Sequence, residues 1–387
     1  MIIRRISFMR KRVISLLSVL LLLIPFTMSE AELEEEEWFF EDYVEQTEEK
    51  ENEVIDPDGS WYITVTCTGD LTVGGDNYHH KGKLFYNELE KNGDNISFTM
   101  VNVRDIFRAD DLTLVNFEGT FTDTKNVPNN KKGNEFLFNI SPRYVTILTD
   151  NFIEAVCLEN NHVMDHGEEG YNDTKETLRN AGVLYSTSTE MAVFDVKGIQ
   201  IAMLSYLCID RYDKPVGEFA TLYDKVESDI QQAKKYYPIV IVSFHWGVEK
   251  DYTPTNNQKK MGRLAVDSGA DLVIGHHSHR INPIEQYNGV YICYSLGNFC
   301  FSGNKKPDDM NSYIFQTRFK VSKHGDVSNA GFRIIPIQIT SVKDRNNYVP
   351  TPITDDLKIE GIITTLKDNG NKFLEYPVAE YPLEWNY

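Results

Sequence analysis

Apolar and polar positions between residues 61 and 345 follow two rhythms. Short runs rich in β-branched and aromatic residues recur at 62–68, 112–116, 152–158, 199–207, 239–244 and 272–274. Most are bounded by Gly, Asn, Asp or His, which marks buried strands running into loops. Between them the apolar spacing becomes helical. A helix is expected from about Asn172, with Leu178 and Ala181 on its inner face and Gly182 as its stop. Others are expected over 222–236 and over 256–268, where Met261, Leu264 and Ala265 share a face and Gly269 follows. Lys197-Gly198 reads as a hairpin turn between 191–195 and 199–207. Further strands are expected from Tyr313 onward, including 331–340, closing a second sheet, with a last helix over 356–367. Strands alternating with helices predict an α/β fold, whose ligand crevice lies beyond the carboxyl ends of the strands.

Those ends carry chemistry. The expected strands terminate at Asp70, at Glu118, at Asn161-His162, at His245, and at Gly275 followed by His276, His277 and His279. Each residue alone has an ordinary explanation: a turn former or cap for Asp70 and Asn161, a satisfied core imidazole for His162, a solvated loop for the histidine run. Five tips in agreement point instead to one shared site. A donor set of carboxylate, amide and imidazole without thiolate suits Mn, Fe or Zn, as one ion or a pair. Donors to one ion lie within about 4.4 Å of one another, and a paired site spans roughly 8 Å. At least five of Asp70, Glu118, Asn161, His162, His245, His277 and His279 are therefore expected to converge. Glu118 is expected at the centre, His162 at the rim, His245, His277 and His279 deeper, and His276 pointing elsewhere.

Charge and the termini narrow the setting. The chain of 387 residues begins with Arg4, Arg5, Arg10, Lys11 and Arg12, then an apolar run over 13–26 and Ser29-Glu30-Ala31. Residues 1–31 read as a secretory signal or an uncleaved anchor, and either places the body outside the cytoplasm. Residues 32–60 are expected to be an acidic, disordered linker contributing most of the net charge of −19, with Trp38-Phe39-Phe40 as its one candidate docking patch. This acidity excludes a nucleic-acid partner, which requires a basic face. An anionic ligand would have to be held by a metal or by local cations such as Lys259, Lys260, Arg263 and Arg280. Cys67, Cys157, Cys208, Cys293 and Cys300 show no CxxC spacing and are expected to be buried thiols. The folded domain is placed at 61–345, followed by an extension over 346–387.

Five segments resemble the CapA (PgsA) capsule synthesis family of the calcineurin-like metallophosphoesterase superfamily. They are Thr68-Gly69-Asp70, Val115-Asn116-Phe117-Glu118, Asn160-Asn161-His162 with Asp165 and Gly167, His245-Trp246-Gly247, and Gly275-His276-His277-Ser278-His279 through Tyr294-Ser295-Leu296-Gly297-Asn298-Phe299. The resemblance implies an α/β/β/α sandwich of two mixed sheets flanked by helices. It also implies a role in synthesis, export or anchoring of poly-γ-glutamate or a related anionic surface polymer, with membrane assembly partners. Metal residues would fall on Asp70, Glu118, Asn161, His245, His277 and His279. His162 would be the proton donor, oriented by Asp165, and Asn298 and Arg280 would face the substrate. Two departures stand out: Thr72 occupies a position where the superfamily usually has histidine, and Glu118 stands for its bridging aspartate. The alternatives, a metal-dependent phosphoester or other ester hydrolase and a non-catalytic polymer-binding component, use the same ligands.

Overall fold

The structure is a computed structural model that describes residues 55–75, 83–131, 136–209 and 216–385. The expected signal or anchor over 1–31, the Trp38-Phe39-Phe40 patch and most of the acidic linker lie outside the described residues. In chain order the strands are β1 (Trp61–Thr72), β2 (Leu112–Phe117), β3 (Thr120–Phe121), β4 (Asn139–Ile140), β5 (Ala155–Cys157), β6 (Leu184–Ser186), β7 (Ala192–Val196), β8 (Ile199–Ile209), β9 (Ile239–Gly247), β10 (Leu272–His276), β11 (Ile284–Tyr287), β12 (Val290–Cys293), β13 (Asn298–Phe301), β14 (Asn311–Val321), β15 (Val327–Gln338) and β16 (Thr351–Pro352). Among the described residues one sheet has the order β16-β15-β14-β1-β2-β5-β6, with β13 also paired to β1, and a second has the order β11-β12-β10-β9-β8-β7. Both mix parallel and antiparallel pairs.

Period-two alternation sorts the side chains onto two buried faces. Ile63, Val65 and Cys67 of β1 and Leu112 and Leu114 of β2 share a core with Ile201 and Met203 of β8, Ile239 and Ile241 of β9, and Leu272 and Ile274 of β10. The two sheets therefore pack face to face. The intervening residues face outward: Val240, Val242, Phe244 and Trp246 meet helices Val216–Lys234 and Asn256–Asp267. Val115, Phe117 and Val156 meet the helical segments on the other side, including Leu178 of Gly167–Ala181. This is the four-layer α/β/β/α arrangement expected, and residues that alternate along one strand serve two different cores.

Local chemistry sets the helix ends. A capping box between Thr255 and Gln258 opens helix Asn256–Asp267. Helix Gly167–Ala181 starts earlier than its apolar spacing indicates, because Glu168 and Glu169 suit the positive end of its first turn, and Gly182 at φ +73° closes it. All five cysteines are free and buried.

Three expectations are corrected. β14 and β15 do not close the second sheet; they extend the first, with β14 antiparallel to β1. The last helix continues to Phe373 rather than stopping at 367, because Ile362, Leu366 and Gly370 lie on one buried face. β1 also runs past Asp70 to Thr72, because β2 on one side and β13 on the other continue to pair with it.

That last correction positions the site. β1 changes register against β2 between Cys67 and Asp70, and against β13 between Asp70 and Leu71. Before the irregularity the odd-numbered residues of β1 face the other sheet. After it Leu71 and Val73 face outward, so Asp70 is turned inward. Gly69 makes this possible: a Cβ there would stand 2.0 Å from the carbonyl oxygen of Gly297. The same approach lets the Asp70 amide donate to that oxygen at 2.9 Å.

Gly69→Ala must push two backbones apart, and a loss of at least about 2 kcal/mol is expected by denaturant unfolding. Gly361→Ala, in open space within helix Asp356–Phe373, is expected to gain about 0.5–1 kcal/mol. Equal midpoints for Gly69→Ala and wild type would contradict the close approach.

Candidate metal centre

Strand periodicity delivers most of the site. On β2 and just beyond it, Leu112, Leu114, Asn116 and Glu118 follow one another on the inter-sheet face. On β9, Ile239, Ile241, Ser243 and His245 do the same. Glu118 lies at the centre and is fully buried, and neither carboxylate oxygen has a hydrogen-bond partner among the described residues. Its Oε1 stands 3.6 Å from His245 Nε2, 3.9 Å from His279 Nε2 and 3.9 Å from His162 Nε2. Ligating atoms of Glu118, His245 and His277 lie within 4.8 Å of one another, and those of Asp70, Glu118 and His279 do likewise. Glu118 is common to both sets. Five of the expected donors thus converge around one carboxylate.

The histidine loop is held under strain. His277 has φ +91° and His279 φ +53°, a region costly for residues with a Cβ. Between them the Ser278 hydroxyl donates to the Arg280 carbonyl at 2.9 Å, and the Ser278 carbonyl accepts from the Lys250 amide at 2.7 Å. His279 Nδ1 lies 2.9 Å from Asp70 Oδ2, and His277 Nδ1 lies 3.0 Å from His245 Nε2.

Burial and neighbours decide protonation. Burial, reinforced by the neighbouring Asp70 carboxylate, pushes Glu118 up to about 7 even though His279 opposes it. Burial also drives His245 well below the ordinary histidine value, with His277 adding to the effect. His277 falls to about 3 through burial and its neighbour His279. Both are neutral imidazoles, the ligating form. Burial opposes charge on His279 too, but Glu118 and Asp70 hold its proton and lift it to about 9. Asp70 is buried as well, yet the imidazoles of His276 and His279 keep it well below the usual carboxylate range. A buried carboxylate without donors, faced by neutral imidazoles, fits a cation.

His162 stands beside this group. Its Nδ1 lies 2.7 Å from Asp165 Oδ2, and Asp165 Oδ1 accepts from Lys131 Nζ at 2.9 Å. The Phe138 amide donates to Asp165 Oδ2 at 2.9 Å, and the Phe138 ring meets the His162 ring edge-on. Burial opposes protonation of His162, but the hydrogen bond and charge of Asp165 raise its pKa.

Other expectations are met unevenly. His162 sits at the rim, with its side chain 15% exposed, but His279 is equally exposed rather than deeper. His276 does not point away. Paired with His245 across β9 and β10, it faces inward beneath the site, its Nδ1 3.4 Å from Asp70 Oδ1. Thr72 is fully buried, and its hydroxyl has no hydrogen-bond partner. Asn161 Oδ1 and Asn298 Oδ1 are buried without partners. The Arg280 guanidinium donates to the His279 carbonyl at 2.8 Å and lies over the Tyr252 ring. Of the other cations, Arg263 is engaged by buried Glu285 and by Glu375, and Lys259 donates to the Phe373 carbonyl.

Three supporting residues were not singled out from the sequence. Asn116 Nδ2 donates to Asp70 Oδ1 at 2.9 Å and lies 3.3 Å from His245 Nδ1, joining the two halves of the site. Asn160 donates to the Phe117 carbonyl and accepts from the His162 amide. Lys131 ties the Asn161 carbonyl to Asp165. The alternation Leu112, Leu114, Asn116, Glu118 carried the signal for Asn116. No local pattern marked Lys131.

A pH test follows from Glu118. Its folded pKa near 7 lies above its ordinary 4.5, so the metal-free protein loses stability as pH rises from about 4.5 through 7. Glu118→Gln is expected to remove that component in thermal unfolding with chelator between pH 5 and 8. Below pH 7 a cation must displace the Glu118 proton, so Mn²⁺ affinity is expected to fall roughly tenfold per pH unit. Calorimetric Mn²⁺ titrations that do not change between pH 5 and 7.5 would contradict a ligand role for Glu118.

Comparison with known proteins places the chain. The sequence profile described as bacterial capsule synthesis protein PGA_cap matches residues 64–303, a span that contains every residue of the site. The PGA biosynthesis protein CapA of Bacillus subtilis (strain 168) is 32% identical over 285 residues, covering 70% of this chain and 71% of that one. The capsule biosynthesis protein CapA of Bacillus anthracis is 26% identical over 335 residues, covering 79% and 76%. Among solved structures, the NAD nucleotidase of Haemophilus influenzae is similar at 12% identity and a TM-score of 0.36, over 85% of this chain and 65% of that one. That likeness is too loose to carry chemistry across. With the profile matching more than half of its length, the chain belongs to the PGA_cap family of bacterial capsule synthesis proteins.

Proposed function

We propose that this protein works outside the cytoplasm in synthesis, export or anchoring of poly-γ-glutamate or a related anionic polymer, and that it engages the polymer through one or two divalent ions, Mn, Fe or Zn. The observation that carries this reading is Glu118, a fully buried carboxylate with no hydrogen-bond donor, surrounded by Asp70, His245, His277 and His279. Asp70, Glu118, Asn161, His245, His277 and His279 would hold the metal. A bound divalent ion supplies concentrated positive charge and Lewis acidity beside an anionic group. A chain with a net charge of −19 has few other means of attracting a polycarboxylate. Arg280 supports the reading, because no carboxylate pairs with it among the described residues while its backbone continues directly from His279. The exported location rests on residues 1–31. No helix among the described residues is long and apolar enough to cross a membrane.

A second reading, hydrolysis of a phosphoester or other ester, is favoured by one observation. His162 is held by Asp165, keeps an affinity for a proton, and presents Nε2 toward the site at its rim. That is the arrangement of a general acid beside a metal centre, with Asp165 and Lys131 orienting the ring.

One experiment separates the two. Protein loaded with Mn²⁺, Fe²⁺ or Zn²⁺ is tested for retention of poly-γ-glutamate and for hydrolysis of a chromogenic phosphodiester. Metal-dependent retention is expected, reversed by chelation and weakened at least tenfold in His277→Ala, with His162→Ala retaining the polymer. Fast diester turnover that falls by about 10²–10⁴ in kcat for His162→Ala would instead establish the hydrolase. Absence of any metal-dependent retention would overturn the polymer reading.

A further inference from the structure

Asp70 belongs to one of two three-donor sets, Asp70 with Glu118 and His279, and shares Glu118 with the other, Glu118 with His245 and His277. β13 runs parallel to β1 there, with Asp70 opposite Asn298 and Thr72 opposite Phe301. Paired residues of neighbouring strands project to the same face of a sheet, so Asn298 shares the face of Asp70. Phe301 marks that face independently, because its ring lies 5.1 Å from the ring of His279. The residues between them, Phe299 and Cys300, pack into the outer core. The position of Asn298 is set by backbone: Gly297 at φ +79° turns the chain, and its carbonyl accepts from the Asp70 amide in the space Gly69 leaves open.

Asn298 is 4% exposed, and its Oδ1 has no hydrogen-bond partner. A buried carboxamide oxygen left unsatisfied is uncommon and costs stability. Asp70, its partner across the strands, shares a donor set with Glu118, both of whose oxygens are likewise unpartnered. Acceptors gathered without donors are satisfied together by a cation, and a neutral amide oxygen is a suitable hard ligand. We propose that Asn298 supplies an oxygen donor to the divalent ion on the Asp70 side of the site. The proposal rests on the metal reading above and adds to it a ligand from β13, a strand that carries none of the others.

The test uses the full chain, stripped by chelator and titrated calorimetrically with Mn²⁺, together with the melting temperature of each metal-free form. Asn298→Ala is expected to weaken Mn²⁺ binding by about 10–100-fold. Asn298→Asp is expected to bind at least as tightly as wild type, while its metal-free form melts at a lower temperature because a further carboxylate stands beside Asp70. Wild-type affinity in Asn298→Ala overturns the proposal and leaves the metal reading intact. Equal loss in both variants assigns Asn298 a purely structural part and also overturns it. Failure of wild type to bind Mn²⁺, Zn²⁺ or Fe²⁺ removes the metal reading itself, and this proposal with it.

Discussion

A charged carboxylate enclosed by protein and given no donor is among the least favourable arrangements a fold can contain. Glu118 is in that position, and the side chains around it are arranged accordingly. His245 and His277 are kept neutral, Asp70 is kept ionised by His276 and His279, and the carboxylates of Glu118 and Asp70 favour the protonated form of His279. His279 offsets only part of the burial of Glu118, whose pKa still rises to about 7. A cation at the common centre satisfies all of them together. The strain at His277 and His279 belongs to the same design, because left-handed backbone at both positions turns two imidazoles from one short loop toward one point.

Such a centre needs both sheets. Asp70 and Glu118 come from one, His245 and the loop after β10 from the other, and Asn116 links them through Asp70 and His245. The inter-sheet core beneath it, from Ile63 and Leu114 to Ile241 and Ile274, holds the two layers in register. Close approaches fix the loops above. Gly69 admits the Gly297 carbonyl, and Gly275 leaves room for the Trp246 indole to donate to the Tyr294 carbonyl at 2.8 Å. Rigid strands, rather than loops alone, therefore set the donor positions, which favours a preorganised site.

Cations elsewhere serve the fold. Arg263 is bound to buried Glu285, which also accepts from the Tyr294 hydroxyl, and the chain after 373 returns here through the Tyr376 amide. Residues 346–385 are joined to the domain through β16, through Val378 on Ile284 and through Ile334 on Pro382. The helix face carrying Lys259 and Arg263 is thereby committed to internal contacts.

The sequence alone determined the element types, the alternation that made an α/β fold, and the donors carried by the strand ends, because burial imposes a period on apolar residues and chemistry gathers where that period stops. It also put Glu118 at the centre, on the ground that its side chain reaches one methylene farther than an aspartate. Tertiary structure decided the rest. The inward turn of Asp70 depends on a register shift imposed by β2 and β13, distant in sequence, and simple alternation would have sent it outward. His276 was expected to point away, but the strand continues one residue further and parity carries the ring beneath Asp70. β14 and β15 joined the first sheet because β1 had a free edge to pair, which no local pattern records. Asn116, Lys131 and Asn298 gain their meaning only from neighbours between 30 and 228 positions away, Asp70 foremost among them for Asn116 and Asn298. Periodicity reports which face a residue takes, and only pairing between distant strands reports what it meets there.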